Sequence, residues 1–388
     1  MTQEFWGKLK KPFFIMAPMA DVTDAAFRRL IAKYSNHGEP QGGPDVFYTE
    51  FVSCDGLCSK GREALLTDFK YSKEEHPIVA QIFGSNPGHF RECAALIKEL
   101  GFDGIDINMG CPDKSVEKQC AGAALIKTPA LARELIRAAQ EGGGGLPVSV
   151  KTRVGYNKVI LDEWLPEILA EEPAMVTIHA RTRKEMSLVP ARWEHVARAV
   201  EIAHEFAEKH DTERTLIVGN GDVKDLSDAK EKARETGADG VMLGRAIFGN
   251  PWLFANFAHA ERDCKIEHPA PNLPQYEREI SNAITEVNND SAQSRNRPSV
   301  SECAAHDSSR KIGAGVYVPT TDEKLRVMVE HTHLFEKLLG GIKNFAIMKK
   351  HYKAYVMGFQ GAKELRVKLM DAKNADDVEK ITKQFLNS

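Results

Sequence analysis

The 388 residues predict an α/β protein, a (β/α)8 barrel of the TIM type followed by a small C-terminal helical bundle. Three observations carry that expectation. Eight short apolar or β-branched runs recur between segments of helical periodicity. Most of these runs do not alternate, as parallel strands covered on both faces require. All eight fit in about 250 residues, the usual span of one closed barrel. An open doubly wound sheet is the structural alternative, but no G-x-G-x-x-G follows the first run.

In chain order the predicted strands are Phe13–Pro18, Val46–Phe51, Ile78–Phe83, Gly104–Asn108, Val148–Thr152, Met175–His179, Leu216–Asn220 and Gly240–Leu243, each four to six residues of mostly apolar or β-branched character. Helical spacing of apolar residues marks Pro87–Leu100, Pro129–Gln140, Leu161–Ala170, Trp193–Glu208 and Lys224–Glu235 between them. After the eighth strand Glu261–Pro274 is charged and proline-bearing, and Asn288–Gly315 is rich in Ser, Asn and Arg with almost no large apolar residue, which reads as a mobile loop. Helical pattern resumes near Thr321 and runs through VMVEHTHLFEKLLG, IKNFAIMKKHYKAYVMGF, AKELRVKLM and ADDVEKITKQFL. The expected division is a barrel over 1–258, a linker with the polar insertion over 259–320 and a helical domain over 321–388.

Composition narrows the function. With 42% apolar, 28% charged and 8% aromatic residues, the chain has an ordinary globular balance with room for a large core. It holds no run of about 18 uncharged apolar residues, so a membrane partner is not expected. The N-terminus MTQEFWGKLKKPFFIMAPMADVTD lacks a signal peptide's long apolar stretch and cleavage site. Seven scattered cysteines (Cys54, Cys58, Cys93, Cys111, Cys120, Cys264, Cys303) suit reduced thiols in a cytoplasmic protein, expected here as a monomer. Cys54 and Cys58 lie near one another in sequence, but no second spaced pair completes a zinc site, and no metal is expected. A net charge of −3 hides an asymmetry, because Lys324–Ser388 carries 13 Lys and Arg against 7 Asp and Glu. A basic tail on an acidic body suits a local polyanion contact or, more plainly, a solvated helix surface.

Catalytic groups of such a barrel belong on the loops after the strands. Polar residues end nearly every predicted strand: Glu50, Gln81, Asn108, Lys151 with Arg153, His179, Asn220-Gly221-Asp222 and Gly244-Arg245. One such residue would mean only a chain entering solvent, whereas the whole set in the same relative position converges on one pocket. Phosphates in barrels commonly bind after strands seven and eight, where the glycines let backbone N–H groups approach and Arg245 adds a charge-assisted contact. The plain alternative is a pair of turn glycines beside a surface arginine. Lys151 suits either a flavin, whose reduced ring is negative near N1, or a Schiff base. Gln81 suits the edge of a pyrimidine-like ring. Cys111, in a Gly-Cys-Pro turn with Lys114 and Lys118 nearby to favour the thiolate, is the thiol placed for reactivity, including proton donation.

Together these pieces resemble the tRNA-dihydrouridine synthase family. The matching stretches are Ala17-Pro18-Met19-Ala20-Asp21-Val22-Thr23-Asp24-Ala25-Ala26-Phe27-Arg28, Gln81-Ile82-Phe83-Gly84, Asp106-Ile107-Asn108-Met109-Gly110-Cys111-Pro112, Val150-Lys151-Thr152-Arg153, His179-Ala180-Arg181-Thr182-Arg183, Asn220-Gly221-Asp222, and Gly237 through Ala246. The similarity spans about residues 13–258 and continues loosely through Met348–Leu369. The glycine-rich GADGVMLGR also occurs in other flavin barrels, whereas the Pro-Met-Ala opening with Asn-Met-Gly-Cys-Pro is far more specific.

The resemblance implies a non-covalent FMN facing Pro18, Met19 and Ala20, edged by Gln81, bonded by Lys151 and His179, with its phosphate on Asn220, Gly221, Asp222, Gly244 and Arg245. NADPH is the implied reductant and tRNA the substrate. Cys111 is the implied general acid, protonating C5 of a flipped uracil after hydride reaches C6, with Asn108 holding the base. Arg153, Arg183, Lys349, Lys350, Lys363 and Arg366 are the expected substrate contacts, since Gly341–Lys368 holds seven Lys and Arg against one acid. Tyr352, Tyr355 and Phe359 are interleaved there, suited to base contact or, more plainly, to the bundle's own core. Two departures stand out: Lys184–Trp193 keeps only Pro190, Ala191 and Trp193 of the family's pattern, and the polar insertion is unusual. The alternatives are an FMN barrel acting on a small metabolite such as a dihydropyrimidine or enoate, and a barrel that binds RNA without turnover.

Overall fold

The computed structural model describes residues 5–39, 42–255 and 318–387. The expectations for Glu261–Pro274, Asn288–Gly315, Cys264 and Cys303 lie outside the described residues. Eight parallel strands, β1 Phe13–Met16, β2 Phe47–Ser53, β3 Ile78–Phe83, β4 Gly104–Met109, β5 Val148–Arg153, β6 Met175–His179, β7 Leu216–Asn220 and β8 Gly240–Leu243, form one sheet in which β1 pairs β8 and every other neighbour is sequential. The seam between β1 and β2 is closed by one bridge, Ile15 to Val46, with the Met16 amide donating to the Val46 carbonyl at 3.2 Å. The (β/α)8 barrel is thereby complete.

Nearly every strand residue inside the barrel is buried, Lys151 and His179 at the mouth being half-buried, yet the strands do alternate in chemistry. On β3 to β6, Ile78, Ala80, Ile82, Ile105, Ile107, Val148, Val150, Val176 and Ile178 join the apolar layer under the helices. The intervening positions turn inward. Their lower layer is Phe13, Ile15, Val46, Tyr48, Val79, Met175, Leu216, Val218 and Met242, floored by Trp6. Above it the same parity delivers Gln81, Asp106, Asn108, Ser149, Lys151, Thr177, His179 and Asn220 to the C-terminal mouth. The expectation of unalternating strands therefore holds for burial and not for polarity.

The helices are α1 Ala25–Tyr34, α2 Cys54–Leu57, α3 Arg62–Leu65, α4 Pro87–Glu99, α5 Lys114–Glu117, α6 Pro129–Gly143, α7 Leu161–Leu169, α8 Glu194–His210 and α9 Leu226–Thr236. Their ends follow from local chemistry. Asp24 caps α1 by accepting from the Phe27 amide at 3.0 Å, and Asn86 caps α4, whose first residue is Pro87. α1 was absent from the periodicity reading and sits inside the Asp24–Arg28 stretch that carried the resemblance.

Four helices follow: α10 Thr321–Leu339, α11 Met348–Tyr355, α12 Ala362–Met370 and α13 Ala375–Leu386. A capping box opens α10, Thr320 and Glu323 satisfying each other's amides. These helices and the barrel form one compact unit. α10 lies on α1, where Glu330 accepts from Lys33 and from the Tyr34 hydroxyl, both at 2.6 Å. Beneath that pair His331 and His351 are buried against Phe27, their ring centroids 5.1 and 4.9 Å from it and 4.5 Å from each other. Tyr352 and Tyr355 are fully buried in the core, whereas Phe359 is only half-buried, against Phe385. Among the described residues no helix is long and apolar enough to cross a membrane.

Candidate active site

The inward positions near the mouth form a single hydrogen-bonded shelf. Asp106 accepts from the Gln81 side-chain amide and from the Ser149 hydroxyl, each at 2.6 Å, and Asn108 donates to the Gln81 carbonyl at 3.1 Å. The Asn108 carbonyl in turn accepts from the amides of Gly110 at 3.1 Å and Cys111 at 2.9 Å, which shapes the turn holding the thiol. The Gly122 φ of +60° lets the chain pass so close to Cys111 that a Cβ there would lie 2.8 Å from the Cys111 carbonyl. Burial pushes the Asp106 carboxyl up to about 6 against its two donors and Lys151.

Cations ring the opening. Lys151 pairs with Asn108 across β4 and β5, and its ammonium donates to Asn220 Oδ1 at 3.2 Å. Burial, reinforced by Arg153, pulls this ammonium down to about 8. Arg153 donates to the Gly110 carbonyl at 2.7 Å and to Thr182 at 3.1 Å, and burial brings it down to about 10. His179 is driven well below its ordinary value by burial and then by Lys151, Arg153, Arg181 and Arg245, so its ring is neutral at pH 7. Burial also raises the Cys111 thiol, with Arg153 and Lys151 as the opposing cations. The expectation that Lys114 and Lys118 favour a thiolate is thus corrected: both are exposed, burial dominates, and Cys111 is a protonated thiol at neutral pH.

The last two loops meet the first. Asp222, at φ 49°, takes Arg181 on one carboxylate oxygen and Arg245 on the other, and the Ala191 amide joins at 2.9 Å. These partners, Arg181 first, hold its carboxyl below the usual range. Trp193 lies across this turn, donating to the Gly221 carbonyl at 2.9 Å. A Cβ on Gly219 would stand 2.2 Å from the indole, which explains glycine there. A Cβ on Gly244 would stand 3.6 Å from Ala17 Cβ and 3.7 Å from Met19 Sδ, so the β8 loop faces the Pro18–Met19–Ala20 stretch. Pro18 and Met19 are half-buried, Ala20 is exposed, and Arg245 is 64% exposed.

The remaining candidates spread out. Arg183 is bound to Glu117 and lies 5.4 Å from the Tyr156 ring. Arg366 donates to the Val356 carbonyl at 2.6 Å, which spends one of its N–H groups on the bundle itself. Lys350 reaches Asp21 at 3.1 Å, Lys349 is half-buried, and Lys363 is exposed on α12. Cys58 Sγ lies 3.9 Å from Cys93 Sγ, a contact between residues 35 apart in sequence. Sequence reasoning passed over Asp106 and Arg181, each two residues from a chosen site residue and on the same strand or turn. That i, i+2 spacing was the available signal.

The profile of the dihydrouridine synthase (Dus) family matches residues 15–297. The chain belongs to that family. Among Dus relatives, the probable tRNA-dihydrouridine synthase 2 of Bacillus subtilis (strain 168) is 36% identical over 387 residues, 99% of this chain and 97% of its own. A probable tRNA-dihydrouridine synthase of Staphylococcus aureus (strain Mu50 / ATCC 700699) is 34% identical over 390 residues, 99% of this chain and 96% of its own. A third, from Staphylococcus epidermidis (strain ATCC 35984 / DSM 28319 / BCRC 17069 / CCUG 31568 / BM 3577 / RP62A), is 34% identical over the same 99% of this chain and 97% of its own. The Dus match extends past the barrel, and these alignments include the helical tail.

Proposed function

We propose that this chain is a flavin-dependent tRNA-dihydrouridine synthase that, with FMN at the barrel mouth and NADPH as reductant, reduces the 5,6 double bond of uridines in tRNA. The observation that carries the reading is the convergence of Lys151, His179 and Asn220 on inward positions beside Gly244 and Arg245, with the Cys111 thiol facing the same cations. The donor set fits FMN. Among the described residues the buried Lys151 ammonium has one acceptor, Asn220, which leaves N–H groups for an electron-rich ring edge. Arg245 and the Gly244 backbone would hold the phosphate, and Pro18, Met19 and Ala20 would lie along the ring.

The chemistry such a flavin supplies is hydride delivery to C6 of the pyrimidine. The residues of the chain do the rest. Addition at C6 leaves an enolate across C5 and the C4 carbonyl, and Cys111, held as a thiol by burial, donates its proton to C5. Asn108 fixes the Cys111 amide and so aims that thiol. The neutral His179 ring accepts from Arg181 at Nε2, 3.2 Å away, and so carries its N–H on Nδ1 without adding charge. Lys363 and its neighbours on α12 would meet tRNA phosphates.

The purified protein is expected to be yellow, to release flavin on denaturation and to bleach with NADPH. Cells lacking it are expected to lose dihydrouridine at defined tRNA positions. A colourless protein, or unchanged tRNA in such cells, would refute the assignment.

A further inference from the structure

A partly buried cation from the helical tail reaches the barrel mouth. Lys343, between α10 and α11, places its ammonium 2.5 Å from Glu50 Oε2 and 2.7 Å from Asp68 Oδ1. The Lys343 side chain is 14% exposed and that of Glu50 5%. The other Glu50 oxygen accepts the Asp21 amide at 2.5 Å. Asp21 follows Pro18-Met19-Ala20 directly and sits at φ 54°, a left-handed conformation that a non-glycine residue keeps only when its surroundings hold it.

Glu50 is set apart by a break in the ladder. Tyr48 pairs Val79 and Phe51 pairs Gln81, so Thr49 and Glu50 share the single position opposite Ala80. The Thr49 hydroxyl fills the gap, accepting from the Gln81 amide at 3.0 Å and donating to the Glu50 carbonyl at 2.8 Å. Such a bulge re-aims the side chain that follows. Lys350 makes a second tie to Asp21 at 3.1 Å, but with both side chains about half exposed it adds little.

We propose that Lys343 is a positioning residue for the flavin site: through Glu50 it pins the Asp21 amide and thereby the Pro18–Ala20 stretch, coupling the docked helical tail to cofactor retention. Its consequence for flavin rests on the function proposed above, while the pinning of Asp21 does not. The charge balance agrees with this role. Burial lifts the Glu50 carboxyl to about 7 even with Lys343 beside it, so without that cation Glu50 becomes the neutral acid and a weaker acceptor for Asp21.

The test uses the full-length protein with Lys343→Met, Lys343→Arg, Glu50→Gln and, as a control, Lys350→Met. Flavin affinity is read by fluorescence titration with FMN, and protection of the Asp21 amide by hydrogen exchange on the flavin-free protein. Lys343→Met is expected to raise the flavin Kd about tenfold, equivalent to about 1.4 kcal/mol, and to speed Asp21 exchange. Lys343→Arg should recover most of both, and Lys350→Met should change neither by more than about twofold. Glu50→Gln, which keeps the acceptor oxygen and volume but removes the charge, should show both effects to a smaller degree and covers the case in which Lys343→Met does not fold. Wild-type Asp21 protection and flavin affinity in folded Lys343→Met or Glu50→Gln would overturn the proposal. If the wild type binds no flavin, the function fails, and Asp21 exchange alone then decides whether Lys343 pins the loop.

Discussion

His331 and His351 give the interface between α1 and the tail a defined response to acid. Both rings are fully buried against Phe27, and among the described residues His331 Nε2 and both nitrogens of His351 have no hydrogen-bond partner. Burial lowers His351 to about 3 and takes His331 well below its usual value. In the unfolded chain each titrates near 6.5. The unfolded state therefore binds protons that the folded state refuses, so stability is complete above pH 6.5 and falls as pH drops below it. At pH 5.5 the loss from each ring is about 1.4 kcal/mol relative to pH 8. Other groups titrate in this window: burial raises the Glu50 and Asp106 carboxyls, Asp103 raises His76, and burial lowers His179. The comparison that cancels them is wild type against His351→Leu. Urea unfolding at pH 8 and 5.5 should show wild type losing about 1.4 kcal/mol more than the variant across that range. Equal losses would mean that His351 takes up a proton in place, and the reasoning from burial would fail.

Three further outcomes follow from the site. Cys111→Ala should leave NADPH oxidation and bound flavin intact while slowing uridine reduction in tRNA by roughly 10²–10⁴-fold, measured in single turnover; wild-type turnover would remove the thiol from the mechanism. Arg245→Ala should raise the flavin Kd with tRNA affinity unchanged, and the reverse pattern in parallel titrations would assign this exposed guanidinium to RNA. Gly219→Ala, whose Cβ would meet the Trp193 ring at 2.2 Å, should cost about 1–3 kcal/mol in urea unfolding, and a neutral result would show that the indole can move away freely.

The strands were legible because each is a compact apolar run between helices, and six of the predicted eight start and end within one residue of their observed bounds. Their polarity was harder to read. In Ile78–Phe83 the inward Gln81, and in Val148–Arg153 the inward Ser149 and Lys151, look like interruptions until the barrel closes and the interruptions line up. The mouth was therefore legible as a list of residues, while their bonds were not: Asp106 beneath Gln81, and Arg181 across Asp222, need three-dimensional register. The bulge at Thr49–Glu50 leaves no sequence signature, so Glu50 read as just another polar strand end. Charge counting overstated the free cations of the tail. Lys343 is tied into a salt-bridge cluster and Arg366 braces a carbonyl, and neither fact follows from composition. The dominance of burial over the charges near Cys111 was equally invisible, because sequence distance to Lys114 and Lys118 says nothing about which cations face the thiol.

The single bridge between β1 and β2 makes that seam the thinnest hem of the cylinder, and the tail fastens across it, since Asp21 lies just beyond β1, Glu50 lies on β2 and Lys343 joins them from 293 residues downstream of Glu50. During synthesis every strand emerges before that fastener exists. A nascent chain can thus assemble its staves early, but the Asp21–Glu50 edge of its mouth is drawn together only after Lys343 has been made.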